Sequence, residues 1–307
     1  MDDTNAIIQY GLNALQLGSF YALIALGYTL VYGVLRLINF AHGDVFMVGA
    51  YIAFFVSSFL LSPEGLACGQ TTAFVLTLVL TTILTSGVGV TLERVAYRPL
   101  RRQGAHRLYV VITALMCGIL LENANLALLG ASSRTLPDLI HKEVINWGGV
   151  TITNLKILIF MAAILVFVLL QTIVMKSRFG MAMRAISWDP FAIPLMGIPV
   201  DKIIVFTFVM GSGVAGLGGL LYGMAYVKLE NTMGMMMGWK AFIAAVVGGI
   251  GDIRGAFLGG LLLGAVEALV PAFLPSSYKD LISFSILIAI LCLRPTGIFG
   301  VPLTTKI

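Results

Sequence analysis

Hydrophobic and polar positions along the chain do not alternate; they gather in blocks. Apolar stretches run from about Tyr10 to Leu35, Ala41 to Leu61, Ala73 to Leu92 and Leu108 to Leu129. A polar segment follows, Gly130 to Thr153, and then two more stretches, Leu155 to Met175 and Ile203 to Val227. Each is close to the roughly twenty residues that an α-helix needs to cross a hydrocarbon core about 30 Å thick. Beyond Val227 the pattern breaks. Trp239 to Gly251 is too short to cross straight, and Ala256 to Leu274 is long enough. Leu281 to Leu293 is short again unless the longer stretch Tyr278 to Phe299 contributes. The blocks predict an all-α polytopic transmembrane helix bundle of about eight spans in one domain over residues 1–307. Seven spans are clear, and two short segments either cross or re-enter. Irregular backbone at that depth is tolerated only when buried in protein or lining a polar cavity.

Composition removes the soluble alternatives. Hydrophobic residues make up 59% of the chain and charged residues 11%, with mean hydropathy +1.00. Soluble domains carry about 25% charged residues, so too few polar groups remain here to cover a water-facing surface. The net charge is +5, which in a soluble protein would point to nucleic acid. Here the basic residues sit in a few connecting loops, so the charge reads as membrane topology and no nucleic acid is expected. Arg94, Arg98, Arg101, Arg102 and Arg107 follow the third block; Lys176, Arg178, Arg184 and Lys202 follow the fifth. The connection after the fourth holds only Arg134 and Lys142, and the one after the second holds Glu64 and no basic residue. The loops at 93–107 and 176–202 are therefore expected to be cytoplasmic, the N-terminus outside and, if both short segments cross, the C-terminus inside. The start Met1-Asp2-Asp3 lacks a basic n-region, so the first helix is expected to stay as an anchor.

Candidate chemistry is sparse. Cys68, Cys117 and Cys292 are far apart and form no CxxC or Cys/His cluster, so neither a disulfide framework nor a metal site is indicated. His42 borders an apolar block, while His106 and His141 are loop residues. None has a second ligand at metal spacing, and no cofactor is expected. Gly211-Ser-Gly-Val-Ala-Gly216 formally matches GxGxxG, but it lies inside an apolar helix and follows no strand. GxxxxGK[ST] does not occur, so if ATP drives the process, another subunit must supply it. No Ser/His/Asp set or paired acids gather at a recognisable spacing, and catalysis within the chain is not expected. Gly219-x-x-x-Gly223, Gly255-x-x-x-Gly259 and Gly260-x-x-x-Gly264 each place two glycines on one helix face, a pattern that permits close helix packing in lipid.

Three polar features remain. The loop from Lys176 to Gly197 holds two short amphipathic patterns, Met181 to Ile186 and Phe191 to Met196, separated by Asp189-Pro190 and closed by Gly197. Such helices suit either a groove on a partner or the membrane surface. Within the spans, Glu122 shares a face with Gly118 and Asn125, and Glu267 shares one with Gly264 and Pro271. Each acid either lines a polar path or makes an interhelical hydrogen bond. Asn39-Phe-Ala-His-Gly-Asp44 interrupts the hydrophobicity between the first two blocks. It is either a turn in which Asn39 or Asp44 caps a helix or a hinge beside the path.

Four longer motifs carry a resemblance. Gly27-Tyr-Thr-Leu-Val-Tyr-Gly-Val-Leu-Arg-Leu-Ile-Asn-Phe-Ala-His-Gly-Asp-Val-Phe-Met-Val-Gly-Ala-Tyr51 is similar to the opening signature of the LivH-type permeases of branched-chain amino acid ABC importers. Glu93-Arg-Val-Ala-Tyr-Arg-Pro-Leu100 resembles that family's basic loop. The run Lys240 to Glu267, with Val-Val-Gly-Gly-Ile-Gly-Asp-Ile-Arg-Gly at its centre, and Arg294-Pro-Thr-Gly-Ile-Phe-Gly300 resemble its C-terminal signatures.

The resemblance implies a permease in a bacterial inner membrane. Its implied partners are a second, related permease (making a heterodimer), two cytoplasmic ATPase subunits and a periplasmic substrate-binding protein. It makes the 176–202 loop the ATPase-coupling segment, with Arg178, Gly180, Arg184, Ala185, Asp189 and Gly197 as its candidate residues. The family's Glu-Ala-Ala form is not intact, since Arg184 precedes Ala185 and Ile186. Asn39, His42, Asp44, Glu122, Asn125 and Glu267 are the candidates for a translocation path. Two alternatives stand beside this reading: a permease for urea or short amides in a sister system, and a proton-coupled secondary transporter using Glu122 or Glu267.

Overall fold

The computed structural model describes residues 3–63, 65–147, 149–189, 192–294 and 296–300. Met1, Asp2, Glu64, Pro190, Phe191 and Pro295, named above, lie outside the described residues. The helices are α1 (Asp3–Leu35), α2 (His42–Leu61), α3 (Gln70–Leu92), α4 (Arg98–Arg102), α5 (Arg107–Leu129), α6 (Asn154–Lys176), α7 (Arg178–Trp188), α8 (Ala192–Leu195), α9 (Val200–Ala225), α10 (Met233–Gly248), α11 (Ile253–Phe273) and α12 (Tyr278–Leu293). Strands β1 (Val144–Trp147) and β2 (Val150–Thr153) pair antiparallel, Val144 opposite Thr153, within the polar segment. Among the described residues, seven helices are long and apolar enough to cross a membrane, and α10 is a shorter apolar helix. The polytopic helical architecture expected from the block pattern is the one observed.

Two boundaries differ from the sequence reading. Helix α3 does not end at Leu92: a π-helical turn, Glu93–Tyr97, carries it into α4, giving one continuous rod of 33 residues, Gln70–Arg102. Hydropathy stops where the helix leaves the apolar layer and cannot tell a helix projecting into water from a loop. Helix α10 begins at Met233, not Trp239, and ends at Gly248. Its stop is a backbone matter. Gly249 and Gly251 have φ of +113° and +100°, a region that side-chain-bearing residues rarely enter. Its last carbonyls are met from an unexpected quarter: Ile298 and Phe299 donate their N–H groups to Val247 and Gly248 at 2.9 Å. The C-terminal motif thus satisfies acceptors that a helix end leaves open.

Helix α1 is the centre. Its apolar window is 83% buried, against 22% for α6, as expected of a helix hydrophobic on every face and surrounded by others. At its glycines it packs on α11 backbone to backbone. A Cβ on Gly18 would lie 2.8 Å from Leu261 Cα, and one on Gly264 would run into Gly18. The other glycine pairs behave alike, Gly255 and Gly259 against α10 and Gly219 against Phe46 and Ala50 of α2. Helix α3 presents Thr81, Thr85 and Ser86 to Gly213 and Gly216 of α9, and Ser86 Oγ donates to the Val209 carbonyl at 2.9 Å. Outward faces of α5 and α6 keep large apolar side chains exposed, among them Leu108, Leu120, Leu165 and Leu169. That is the surface a lipid-facing helix requires.

One end of the bundle gathers both basic loops. Asp201, in the first turn of α9, accepts from Arg98 at 2.7 Å, Arg101 at 2.6 Å and Arg102 at 3.2 Å. The opposite end gathers the hairpin: Gln9 of α1 exchanges hydrogen bonds with Thr151, and Gln70 donates to the Asp138 carbonyl.

Candidate functional site

The turn between α1 and α2 sets the geometry. Arg36 has φ +51°, and the chain reverses to begin α2 at His42, with Ala41 at the N-cap position and no side-chain cap. Neither Asn39 nor Asp44 therefore caps that helix, contrary to one of the two expectations above. Asn39 is buried, and its Oδ1 accepts the Tyr97 hydroxyl at 2.5 Å. That bond ties the turn to the π-helical stretch of the α3–α4 rod. His42 is buried against Gly27, and its ring centroid lies 5.0 Å from that of Tyr28. Both explain why the motif spells its residues as it does: a Cβ at position 27 would occupy the imidazole's place.

Asp44 points the other way. Its carboxylate is held between two opposing helices at glycines, Gly118 of α5 beside Oδ2 and Gly234 of α10 beside Oδ1. Asp44 is 7% exposed, and its Oδ1 has no hydrogen-bond partner among the described residues. A cavity of about 100 Å³ opens beside it. Helix α1 and the turn contribute Tyr28 and Phe40, α5 contributes Leu115, Ile119 and Glu122, and α10 contributes Gly234, Met235, Gly238 and Trp239. The structure thus brings Asp44 and Glu122, from separate blocks, to one cavity between α2, α5 and α10.

It does not bring Asn125 or Glu267 there. Asn125 Nδ2 donates to Asn231 Oδ1 at 2.7 Å, and the same oxygen accepts the Tyr51 hydroxyl at 2.8 Å. Asn231 in turn donates to the Gly130 carbonyl at 2.8 Å. This network joins α2 and α5 to the connection before α10. Glu267 is buried, accepting from Tyr21 Oη at 2.6 Å, Ser283 Oγ at 3.1 Å and Lys240 Nζ at 3.2 Å. Lys240 also pairs with Asp280 at 2.9 Å. Four helices, α1, α10, α11 and α12, therefore meet at one ion-paired cluster.

The 176–202 segment forms a knuckle. Ser177 caps α7, its Oγ accepting from Gly180 N–H at 3.0 Å. Gly180 is buried against the Ile173 and Val174 carbonyls. Arg184 turns back on its own chain and donates to the Val174 carbonyl at the end of α6, as cations near helix C-termini do. The Ala185 carbonyl accepts from Asp189 N–H at 3.2 Å, and Asp189 Oδ1 accepts from Ala192 N–H at 3.0 Å, opening α8. Gly197 closes α8 with φ +77°. Arg178 is exposed. Met183, Ile186 and Ile193 of this knuckle pack into the core, while Trp188 is 76% and Leu195 89% exposed.

Three partners were not found by reading the sequence: Asn231, Lys240 and Asp201. Only Asp201 carried a signal, an acid facing two basic loops; counting Lys and Arg alone passes over it.

Comparison with known proteins agrees with this architecture. Residues 10–291 match a family model described as the permease component of branched-chain amino acid transport systems. The chain is 41% identical, over 98% of both chains, to the high-affinity branched-chain amino acid permease protein BraD of Pseudomonas aeruginosa. It is 39% identical to the corresponding LivH protein of Escherichia coli K12, over 98% of this chain and 97% of that one. A probable branched-chain amino acid permease of Methanocaldococcus jannaschii is 30% identical over 91% of this chain and 88% of the relative. A match of this length places the chain, plainly, in the family of permease components of branched-chain amino acid transport systems.

Proposed function

We propose that this chain is the membrane-spanning half of an ABC importer that passes branched-chain amino acids inward, driven by ATPase subunits docked on the α7–α8 knuckle. Full-length similarity to permease proteins of such systems is the observation that carries the reading. The structure adds a largely apolar cavity that carries two carboxylates, and exposed apolar side chains on the knuckle at the end that collects the arginines. That end is cytoplasmic by the positive-inside rule. The N-terminus is then periplasmic. Ile298 and Phe299 bond to the end of α10, and on this reading that part of the chain is on the cytoplasmic side.

In this account a second, related permease completes the passage, two ATPases grip the knuckles, and a periplasmic binding protein delivers substrate. ATP-driven closure of the ATPases presses on α7 and α8. The movement reaches the bundle through Asp201 and its three arginines, then through the α3–α4 rod to Tyr97, Asn39 and the turn beside the cavity. Helices packed backbone to backbone at glycines have two-state sliding available to them.

Genetic replacement tests the reading. The chain, expressed with its partner subunits in a bacterium lacking its own branched-chain amino acid permeases, is expected to restore uptake of leucine that vanadate abolishes. Uptake by this chain alone, vanadate-insensitive and driven by a proton gradient, would overturn it in favour of a secondary transporter. Uptake of urea in place of leucine would move it to the sister systems.

A further inference from the structure

The cavity between α2, α5 and α10 has an electrostatic bias. Two of its side chains are carboxylates, Asp44 and Glu122, and no lining residue is basic. Asp44 is more than nine-tenths buried, and its Oδ1 accepts no hydrogen bond among the described residues. Buried acceptors are nearly always paired, so this one calls for a donor from outside the chain. The glycines at 118 and 234, on two different helices, leave the room that its carboxylate occupies; a Cβ at Gly234 would stand 2.7 Å from Oδ1.

The remaining lining narrows the donor. Hard divalent cations take six or more oxygen ligands, whereas this cavity offers two carboxylates and the Tyr28 phenol among aromatic and aliphatic groups. Phe40 and Trp239 form a wall, their ring centroids 5.4 Å apart, and Leu115, Ile119 and Met235 supply aliphatic surface. Aromatic rings tolerate an organic cation at close range, and an aliphatic side chain finds apolar contact beside it. We propose that this cavity receives the primary ammonium group of the transported amino acid. Asp44 accepts its N–H donors, Glu122 provides a second negative charge, and the aliphatic side chain lies against α5 and α10. The substrate's carboxylate is left outside this subsite, because nothing in the lining complements it. The proposal rests on the amino-acid reading above and adds which end of the substrate this subunit recognises.

The test uses the assembled importer, purified in detergent without its binding protein, and follows tryptophan fluorescence through Trp239. The ligands are leucine, isoamylamine (the side chain and amine without the carboxylate), 4-methylpentanoate (the carboxylate without the amine) and sodium chloride. Leucine and isoamylamine are expected to shift the emission saturably, and 4-methylpentanoate and sodium are not. Asp44→Asn is expected to weaken both responses about tenfold or more, the loss of a charge-assisted hydrogen bond. Glu122→Gln, at a half-buried position, should weaken them less and serves if the first variant does not assemble. A response to 4-methylpentanoate equal to that for isoamylamine would overturn the proposal. So would a sodium response matching the amine, or wild-type affinity in both variants. Failure of the amino-acid reading shows separately. In that case the wild-type importer takes up no leucine in cells, while its response to isoamylamine still decides whether the cavity is an ammonium site.

Discussion

Glu267 illustrates how an acid survives inside an apolar bundle. It is 2% exposed, yet three donors from three other helices reach it, one of them the Lys240 ammonium at 3.2 Å. A buried pair adds little net stability over an apolar one, but removing one partner strands the other. Lys240→Met is therefore expected to lower the stability of the detergent-solubilised protein by about 3 kcal/mol, read as a fall in thermal unfolding temperature. Glu267→Gln, which keeps hydrogen bonds to Tyr21 and Ser283 within reach, should cost clearly less. An unchanged Lys240→Met protein would refute the assignment. Asp44 stands in contrast: it too is buried, but its Oδ1 has no hydrogen-bond partner among the described residues. The difference between a structural acid and a ligand-facing one was not legible in the sequence. Both are single acids within apolar stretches, and Lys240 lies 27 residues from Glu267.

Among the elements, α1 and α11 meet backbone to backbone at Gly18, Gly260 and Gly264. Gly264→Leu is expected to force the helices apart. Overpacking typically costs about 1–3 kcal/mol, and a collision with backbone is at the upper end or beyond, because backbone cannot rotate away. Reduced yield of folded protein on size-exclusion chromatography would show it; a normal yield would contradict the packing described.

The Asp201 cluster carries a different expectation. Its carboxylate is 37% exposed, and solvent-facing ion pairs contribute about 1 kcal/mol or less. Asp201→Asn should therefore fold normally. It should slow uptake more than ATP hydrolysis in the reconstituted importer, because it joins the knuckle to the α3–α4 rod. Equal substrate-to-ATP ratios in variant and wild type would remove the cluster from the coupling route. The knuckle itself is tested at Leu195. Leu195→Glu on this 89% exposed residue is expected to abolish co-purification of the ATPase subunits without changing the yield of this chain.

For the molecule as a whole, the block pattern gave the helices because crossing a bilayer requires a length that hydropathy records directly. Four sequence motifs, and not the block pattern, carried the family resemblance. What the pattern could not give was arrangement. Mean hydropathy does differ among the seven long helices, lowest for central α1 at 1.5 and highest for peripheral α6 at 2.9, but it does not say which helices touch; that depends on which faces carry glycine and alanine opposite one another. The continuation of α3 as α4 was hidden by its arginines. The clustering of Asp44 with Glu122, and the separation of Asn125 and Glu267 from them, arise from pairings between distant segments, which periodicity does not encode.

The central claim is that the bundle opens its cavity alternately to the two sides under control of nucleotide bound elsewhere. Cysteine introduced at Met235, which lines the cavity, in a background lacking Cys68, Cys117 and Cys292, reports this directly in oriented membranes holding the full importer. Without nucleotide it is expected to react with an impermeant thiol reagent from the cytoplasmic side, and after trapping with ATP and vanadate from the periplasmic side. Reaction from the same side at the same rate in both states would contradict the account.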